Sequence, residues 1–189
     1  MTSQLRPVLD SVRAAVAAEN WLAALALTLT LPDICASIED PDQKYRCSKW
    51  WDNNFRASYR YGEGEKDYVT GAEVFLLRCA YLHEGSDLSD AKQVERYEAT
   101  IDKFNFVRSD AYSHLKIDGS RVLLDTSIFC EDMCLRVEKW EQTVLSKGDA
   151  AMQDRASKLL KIYVHLRGAA VLKIAATGNL TVGKSPCSD

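Results

Sequence analysis

The sequence predicts a mainly α-helical bundle of about six helices carrying one inserted β-hairpin near residues 112–125. Three observations lead to this. Apolar residues recur at spacings of three and four along most of the chain. Glycine and proline are few, 9 and 4 in 189 residues, so little punctuates the helices. Only around Asp118-Gly119 does the period shorten to that of two strands flanking a two-residue turn. A chain of this length forms one domain, with an ordered core expected over about 5–176 and a frayed tail beyond.

A first helix is expected over 8–18, with Val8, Val12 and Val16 on one face. A second spans 20–39 and is apolar nearly all round from Trp21 to Leu31, as a buried helix reads. Pro32 is expected to kink or restart it, because proline removes a backbone donor and crowds the preceding turn. A third helix covers 43–58. Trp50 and Trp51 cannot both face the core of one helix, so one of them is expected to cover a groove or a subunit contact. The polar, glycine-bearing stretch Tyr61 to Lys66 is a loop.

Thr70-Gly71-Ala72-Glu73 reads as a capping box, and Gly85 as the C-terminal cap of the helix that follows, roughly four turns long. A further helix is expected over 90–104, with Val94, Tyr97, Ile101 and Phe104 inward and Ser89 as its cap. Then come the hairpin strands Tyr112–Ile117 and Ser120–Asp125. A helix over 126–146 follows, with Phe129, Met133, Val137, Trp140 and Val144 in a stripe. The last helix begins near Asp149 and runs into Leu159-Leu160-Lys161. Residues 162–176 suit either its continuation or an edge strand.

Composition excludes several classes. At 47% apolar the chain is not disordered, and 24 basic against 27 acidic residues, a net of −3, exclude a uniformly basic nucleic-acid binder. The uncharged apolar stretch Trp21–Pro32 falls short of the roughly 20 residues that cross a bilayer, and the start lacks the pattern of a secretory signal. A cytoplasmic protein with no membrane association is the expectation. Cys35, Cys79, Cys130 and Cys134 sit in apolar helix stretches as small hydrophobes. Cys79 with His83, and Cys130 with Cys134, are one helical turn apart, but no C-x-x-C pair or zinc-finger spacing exists. No metal and no cofactor are expected.

The chemically informative segment is Val74 to Gly85. Arg78 is the one charged side chain between Val74 and Leu82, so it must meet a carboxylate, a set of carbonyls or an open polar cleft. His83 occupies the last turn, where the helix dipole favours the imidazolium. On an ideal α-helix the two are about 140° apart around the axis. They would rim one cleft at the helix end, and a second subunit would bring two such pairs together. Arg binding a phosphate and His moving a proton suit metal-free phosphodiester chemistry.

Arg78-Cys-Ala-Tyr-Leu-His83 resembles the R-x(4–6)-H motif of HEPN-domain proteins. The resemblance implies a small helical, dimerising, metal-independent endoribonuclease, a toxin or phage-defence effector. Arg78 would hold the scissile phosphate and His83 would transfer the proton. RNA is then the substrate, a second copy of the chain the partner, and an antitoxin or defence-system protein a further one. Cys79 departs from the polar residue common after the motif Arg, and the hairpin is an insertion. The blocks Ala26–Cys35 and Leu77–Gly85 also resemble an uncharacterised family of small bacterial proteins.

Residues 150–189 carry six Lys/Arg and two acids, a net of +4, and Arg155, Lys158, Lys161 and Arg167 are the candidate nucleic-acid contacts. Other readings stand beside this one. Arg78 would simply pair with an acid such as Asp33 in a non-catalytic binding or scaffold protein, or the same cleft would hold a nucleotide or small phosphorylated ligand. Glu73 is accounted for by capping, Cys79 with His83 would make a thiol–imidazole pair, and His114 and His165 are surface or packing residues.

Overall fold

In a computed structural model of the protein, residues 4–64, 68–108 and 114–159 are described in full, and 163–166, 170–174 and 180–184 by their backbone alone. Seven α-helices dominate. They are α1 (Arg6–Ala17), α2 (Trp21–Glu39), α3 (Arg46–Phe55), α4 (Gly71–Cys79), α5 (Ala91–Arg96), α6 (Thr126–Thr143) and α7 (Ala150–Ser157). The mainly helical class with an inserted hairpin is therefore what the chain adopts.

Helix α2 is the central element, packed against α1, α3, α6 and α7. Its sequence explains the position: Leu25, Leu29, Leu31, Cys35 and Ile38 point in different directions around the axis, and all are buried. By length and composition this 19-residue helix is apolar enough to cross a membrane, and half of that stretch is covered inside the bundle. Pro32 neither ends nor restarts it. The helix runs on to Glu39, where Arg155 of α7 donates from Nε to the Ile38 carbonyl at 2.7 Å and from Nη2 to the Glu39 carbonyl at 3.0 Å. Those carbonyls belong to the last turn, which has no intrahelical donors of its own.

Both Trp50 and Trp51 are buried, which corrects the expectation that one would lie outside the core. Helix α3 has neighbours on more than one side, α2, α4 and α6. Trp51 stacks on Phe55 at 4.1 Å and donates its Nε1–H to the Val69 carbonyl at 2.8 Å, while Trp50 meets Trp140 of α6 edge to face at 6.3 Å. Burying side chains of this size stabilises the fold by about 1.5–3 kcal/mol each.

The helix expected over 90–104 is instead the six-residue α5, capped by Asp90 rather than Ser89, followed by strand β1 (Lys103–Val107). Glu98, at φ 51°, ends the helical stretch. Lys103-Phe104-Asn105-Phe106 then alternates with period two, and β1 pairs in parallel with β3 (Arg121–Asp125), Phe104 opposite Val122 and Phe106 opposite Leu124. Strands β2 (Lys116–Asp118) and β3 form the expected antiparallel hairpin, but with its turn at Gly119-Ser120 rather than Asp118-Gly119 and with residues 114–115 outside the strand. Asp118 pairs with Arg121, and Gly119 takes φ 60° at the turn, a conformation for which glycine carries no Cβ penalty. The mixed sheet has the order β1-β3-β2. Residues 112–113, in the expected first strand, lie outside the described residues.

Helix α7 ends at Ser157, short of the expected Lys161. Beyond it the chain forms β4 (Tyr163–Leu166), β5 (Ala170–Ile174) and β6 (Leu180–Lys184), an antiparallel sheet in that order. Within the stretch 162–176, residues 163–166 and 170–174 are thus strand rather than a continuation of the helix. The register aligns Val164, Leu172 and Val182 across the three strands.

His114 precedes the hairpin and packs its ring against Tyr59, edge to face at 5.5 Å. Its Nδ1 accepts from the Asp125 amide at 3.2 Å, and its Nε2 is buried without a partner among the described residues. Burial lowers its pKa, with Asp132 and Asp125 pulling the other way. The unfolded chain therefore binds a proton near pH 6.5 that the folded protein takes up only at lower pH. Stability is expected to be fully present above about pH 6.5 and to fall as the solution is acidified. Urea midpoints measured between pH 7.5 and 5 should show this slope, and His114→Gln should flatten it; an unchanged slope would remove His114 as its source.

Candidate functional site

The site is built where α2, α3 and α4 meet. Helix α4 begins with the anticipated capping box: Thr70 Oγ1 accepts from the Glu73 amide at 3.2 Å, and Glu73 Oε2 accepts from the Thr70 amide at 2.7 Å. Glu73 Oε1 does more than cap. It accepts from the Thr100 amide at 2.9 Å, the Thr100 hydroxyl at 2.8 Å and the Ile101 amide at 2.9 Å, tying α4 to the segment leading into β1. With both oxygens occupied and the side chain sealed from solvent, Glu73 is a structural residue.

Gly71 brings α4 against α3. A Cβ at this position would lie 1.9 Å from the Ser48 carbonyl oxygen, so only glycine permits the approach. Its amide donates to Asp52 Oδ1 of α3 at 2.7 Å. These two contacts set how α3 faces α4, and between the start of α3 and Phe75 of α4 they leave a cleft.

That cleft has a volume of about 260 Å³ and is lined by Asp33, Gln43, Tyr45, Arg46, Cys47, Ser48 and Phe75. Asp33 is its electrostatic centre. Arg46 Nε donates to Asp33 Oδ1 at 3.2 Å, and Arg78 Nη2 donates to Asp33 Oδ2 at 3.4 Å. Arg46 also donates from Nη1 to the Pro41 carbonyl at 2.9 Å. One carboxylate thus serves two guanidinium groups, and the trio keeps one unit of positive charge. All three side chains are partly exposed, Arg78 by 21%, Asp33 by 32% and Arg46 by 36%. The Cys47 thiol is pushed up to about 12, chiefly by burial and further by Asp33, with Arg78 opposing, so it lines the cleft as a neutral group.

The two residues singled out from the sequence are treated differently. Arg78 is not among the lining residues; it meets the cleft through Asp33, the acid that the structural reading named. Its Nε is buried with no partner among the described residues. Cys79 sits beside it, and burial raises that thiol's pKa while Arg78 lowers it. His83 is exposed and makes no hydrogen bond or ion pair with another described residue.

The helix itself is not α-helical to its end. Ala80–Glu84 forms a π turn closed by Gly85, which takes φ 65° and donates back to the Ala80 and Tyr81 carbonyls. A wider turn rotates less per residue, so Arg78 and His83 are closer around the axis than 140°. Tyr81, within the π turn, anchors it to α2 by donating its hydroxyl to the Leu22 carbonyl at 3.0 Å.

Two of the four candidate nucleic-acid contacts, Arg155 and Lys158, lie among the described residues. Arg155 is held by the α2 carbonyls, Lys158 follows the end of α7 and pairs with Asp154, and Lys161 and Arg167 lie outside the described residues, as does the side chain of His165. Among the described residues, no group of three or more His, Cys, Asp or Glu is placed to hold a metal ion.

Gln43, Tyr45, Arg46, Ser48 and Phe75 were not anticipated. They come from two helices and a connection, and no local motif links them. The fold and cleft together define a helical protein with a small, charged, partly aromatic cleft at a three-helix junction. No family model, curated protein or solved structure matches the chain.

Proposed function

We propose that this protein is a helical binding protein for phosphate-bearing ligands, and that they enter the cleft beside Asp33. The observation that carries this reading is the sharing of one carboxylate by Arg46 and Arg78 next to an open pocket. An incoming phosphate would complete the charge balance and accept from the exposed edge of Arg46 in a charge-assisted, fork-like geometry. Arg78 acts here as a positioning residue, holding Asp33 and through it the Arg46 fork.

Calorimetric titration with pyrophosphate at low ionic strength tests this. Binding is expected, weakening as salt is raised and falling about tenfold or more in a folded Arg46→Gln variant. Absence of both heat and thermal stabilisation at millimolar pyrophosphate would sink the reading.

A second reading is favoured by a separate observation. The His83 side chain is solvent-exposed and without a partner among the described residues, in the π turn beyond Arg78, as a proton-transferring group needs to be. It supports the metal-independent endoribonuclease that the R-x(4–6)-H resemblance implies: a cytoplasmic toxin or defence effector. Arg78 and His83 would act across a homodimer, leaving a 2′,3′-cyclic phosphate. Total RNA incubated in EDTA should then be cut by the wild type and spared by folded Arg78→Ala and His83→Ala variants. Arg78→Ala leaves Asp33 paired with Arg46, so it is expected to lose only about 1–2 kcal/mol of stability. Cleavage that survives either substitution, or none by the wild type, eliminates this second reading.

A further inference from the structure

We infer that the phosphate-bearing ligand of the cleft is a nucleotide whose base stacks on Tyr45; this rests on the phosphate-binding reading above. Tyr45 and Phe75 both line the cleft, one from the start of α3 and the other from α4. Tyr97, at the end of α5, supports both: its ring meets Tyr45 edge to face at 6.3 Å and Phe75 at 5.8 Å. Three rings from three elements thus form one aromatic cluster, two of whose members line the cleft with Arg46.

Tyr45 is the exposed member, with 52% of its surface open to solvent. Its backbone sits at φ 58°, in the left-handed region that a bulky residue seldom occupies. Such strain persists only where the surroundings over-determine it, and here it accompanies an aromatic side chain in the lining of a charged cleft. Lys44 stands over the same ring, its Nζ 5.1 Å from the centroid, so a second cation lies beside Tyr45. Gln43 lines the cleft with an amide able both to donate to and accept from a base edge. The volume, about 260 Å³, limits the cleft to one nucleotide at most rather than a run of them. A planar ring joined to a phosphate satisfies every wall, whereas a bare phosphate uses only one.

The test compares adenosine 5′-monophosphate, ribose 5-phosphate and pyrophosphate by calorimetric titration of the full chain. The nucleotide is expected to bind about tenfold or more tighter than ribose 5-phosphate, the increment stacking supplies. Tyr45→Asn should abolish that increment, so that the nucleotide and ribose 5-phosphate bind the variant alike; asparagine tolerates the left-handed backbone, so the fold is kept. Tyr45→Phe should retain it. Equal affinity of nucleotide and ribose 5-phosphate, or an increment that survives Tyr45→Asn, overturns the inference while phosphate binding stands. Failure of all three probes removes the phosphate reading, and this inference with it. A 5′-phosphorylated tetranucleotide separates the two sources of the ligand: tighter binding than the monophosphate, lost in Tyr45→Asn, assigns the stacked nucleotide to a strand end, and weaker binding to a free nucleotide.

Discussion

Glu73→Ala should lower the stability of this protein more than any other single substitution of a charged residue. Three backbone amides and one hydroxyl donate to its carboxylate, and the side chain is fully buried. Removing it leaves those donors unpaired, at about 1–3 kcal/mol for each that water fails to reach. A total loss of about 4–6 kcal/mol is expected, much of the 5–15 kcal/mol typical of a domain. The melting temperature should drop by roughly 10–20 °C for a chain of this size.

Glu73→Gln refines the test. The amide oxygen still serves the Thr100 and Ile101 donors, but its NH2 then faces the Thr70 amide, donor against donor. The loss should therefore lie between wild type and alanine. Thermal and urea unfolding measure both variants; an alanine variant within about 0.5 kcal/mol of wild type, the range of neutral surface changes, contradicts the account.

Gly71→Ala is the second large effect, and its cause is steric. The new Cβ would lie 1.9 Å from the Ser48 carbonyl oxygen, and the obstruction is backbone, which cannot rotate aside. The α3 and α4 backbones must part by roughly 1 Å, stretching the Gly71–Asp52 hydrogen bond and opening the packing around Trp51. A loss of about 3 kcal/mol or more is expected.

The consequence reaches the cleft, because Cys47 and Ser48 line it from α3 and Phe75 from α4. Pyrophosphate binding should weaken together with stability. Gly85→Ala is the matched control: nothing lies within 4 Å of its Cβ, and the cost comes only from the left-handed backbone, about 1–2 kcal/mol. It should leave the cleft's affinity unchanged. Equal effects of the two alanines on binding would argue against the α3–α4 contact as what shapes the cleft.

Much of the fold was legible because its causes are local. Thr70 and Glu73 lie three residues apart and cap one turn, Gly119 supplies a turn's positive φ, and the stripe from Phe129 to Trp140 records which side of α6 is covered. The errors fall where neighbours overrule local pattern. Ile101 and Phe104 continue a helical spacing from Val94, yet Phe104 joins a strand because β3 offers Val122 and Leu124 to pair with it. Trp50 and Trp51 are adjacent, so one had to face outward from an isolated helix; α2, α4 and α6 together cover both.

The site divides in the same way. Read alone, residues 70–85 determined a capped apolar helix, a lone guanidinium that must find a counter-charge, and an imidazole near the helix end. Tertiary structure selected Asp33 from the acids the sequence offered, and it alone decided that Arg46 shares it, that the helix widens into a π turn around His83, and that Tyr45, Tyr97 and Phe75 cluster. A side chain's need for a partner is inscribed in its own polarity and its neighbours' greasiness. Which partner answers depends on how distant helices cross, and that crossing is set by contacts such as Gly71 against Ser48 that no spacing along the chain announces.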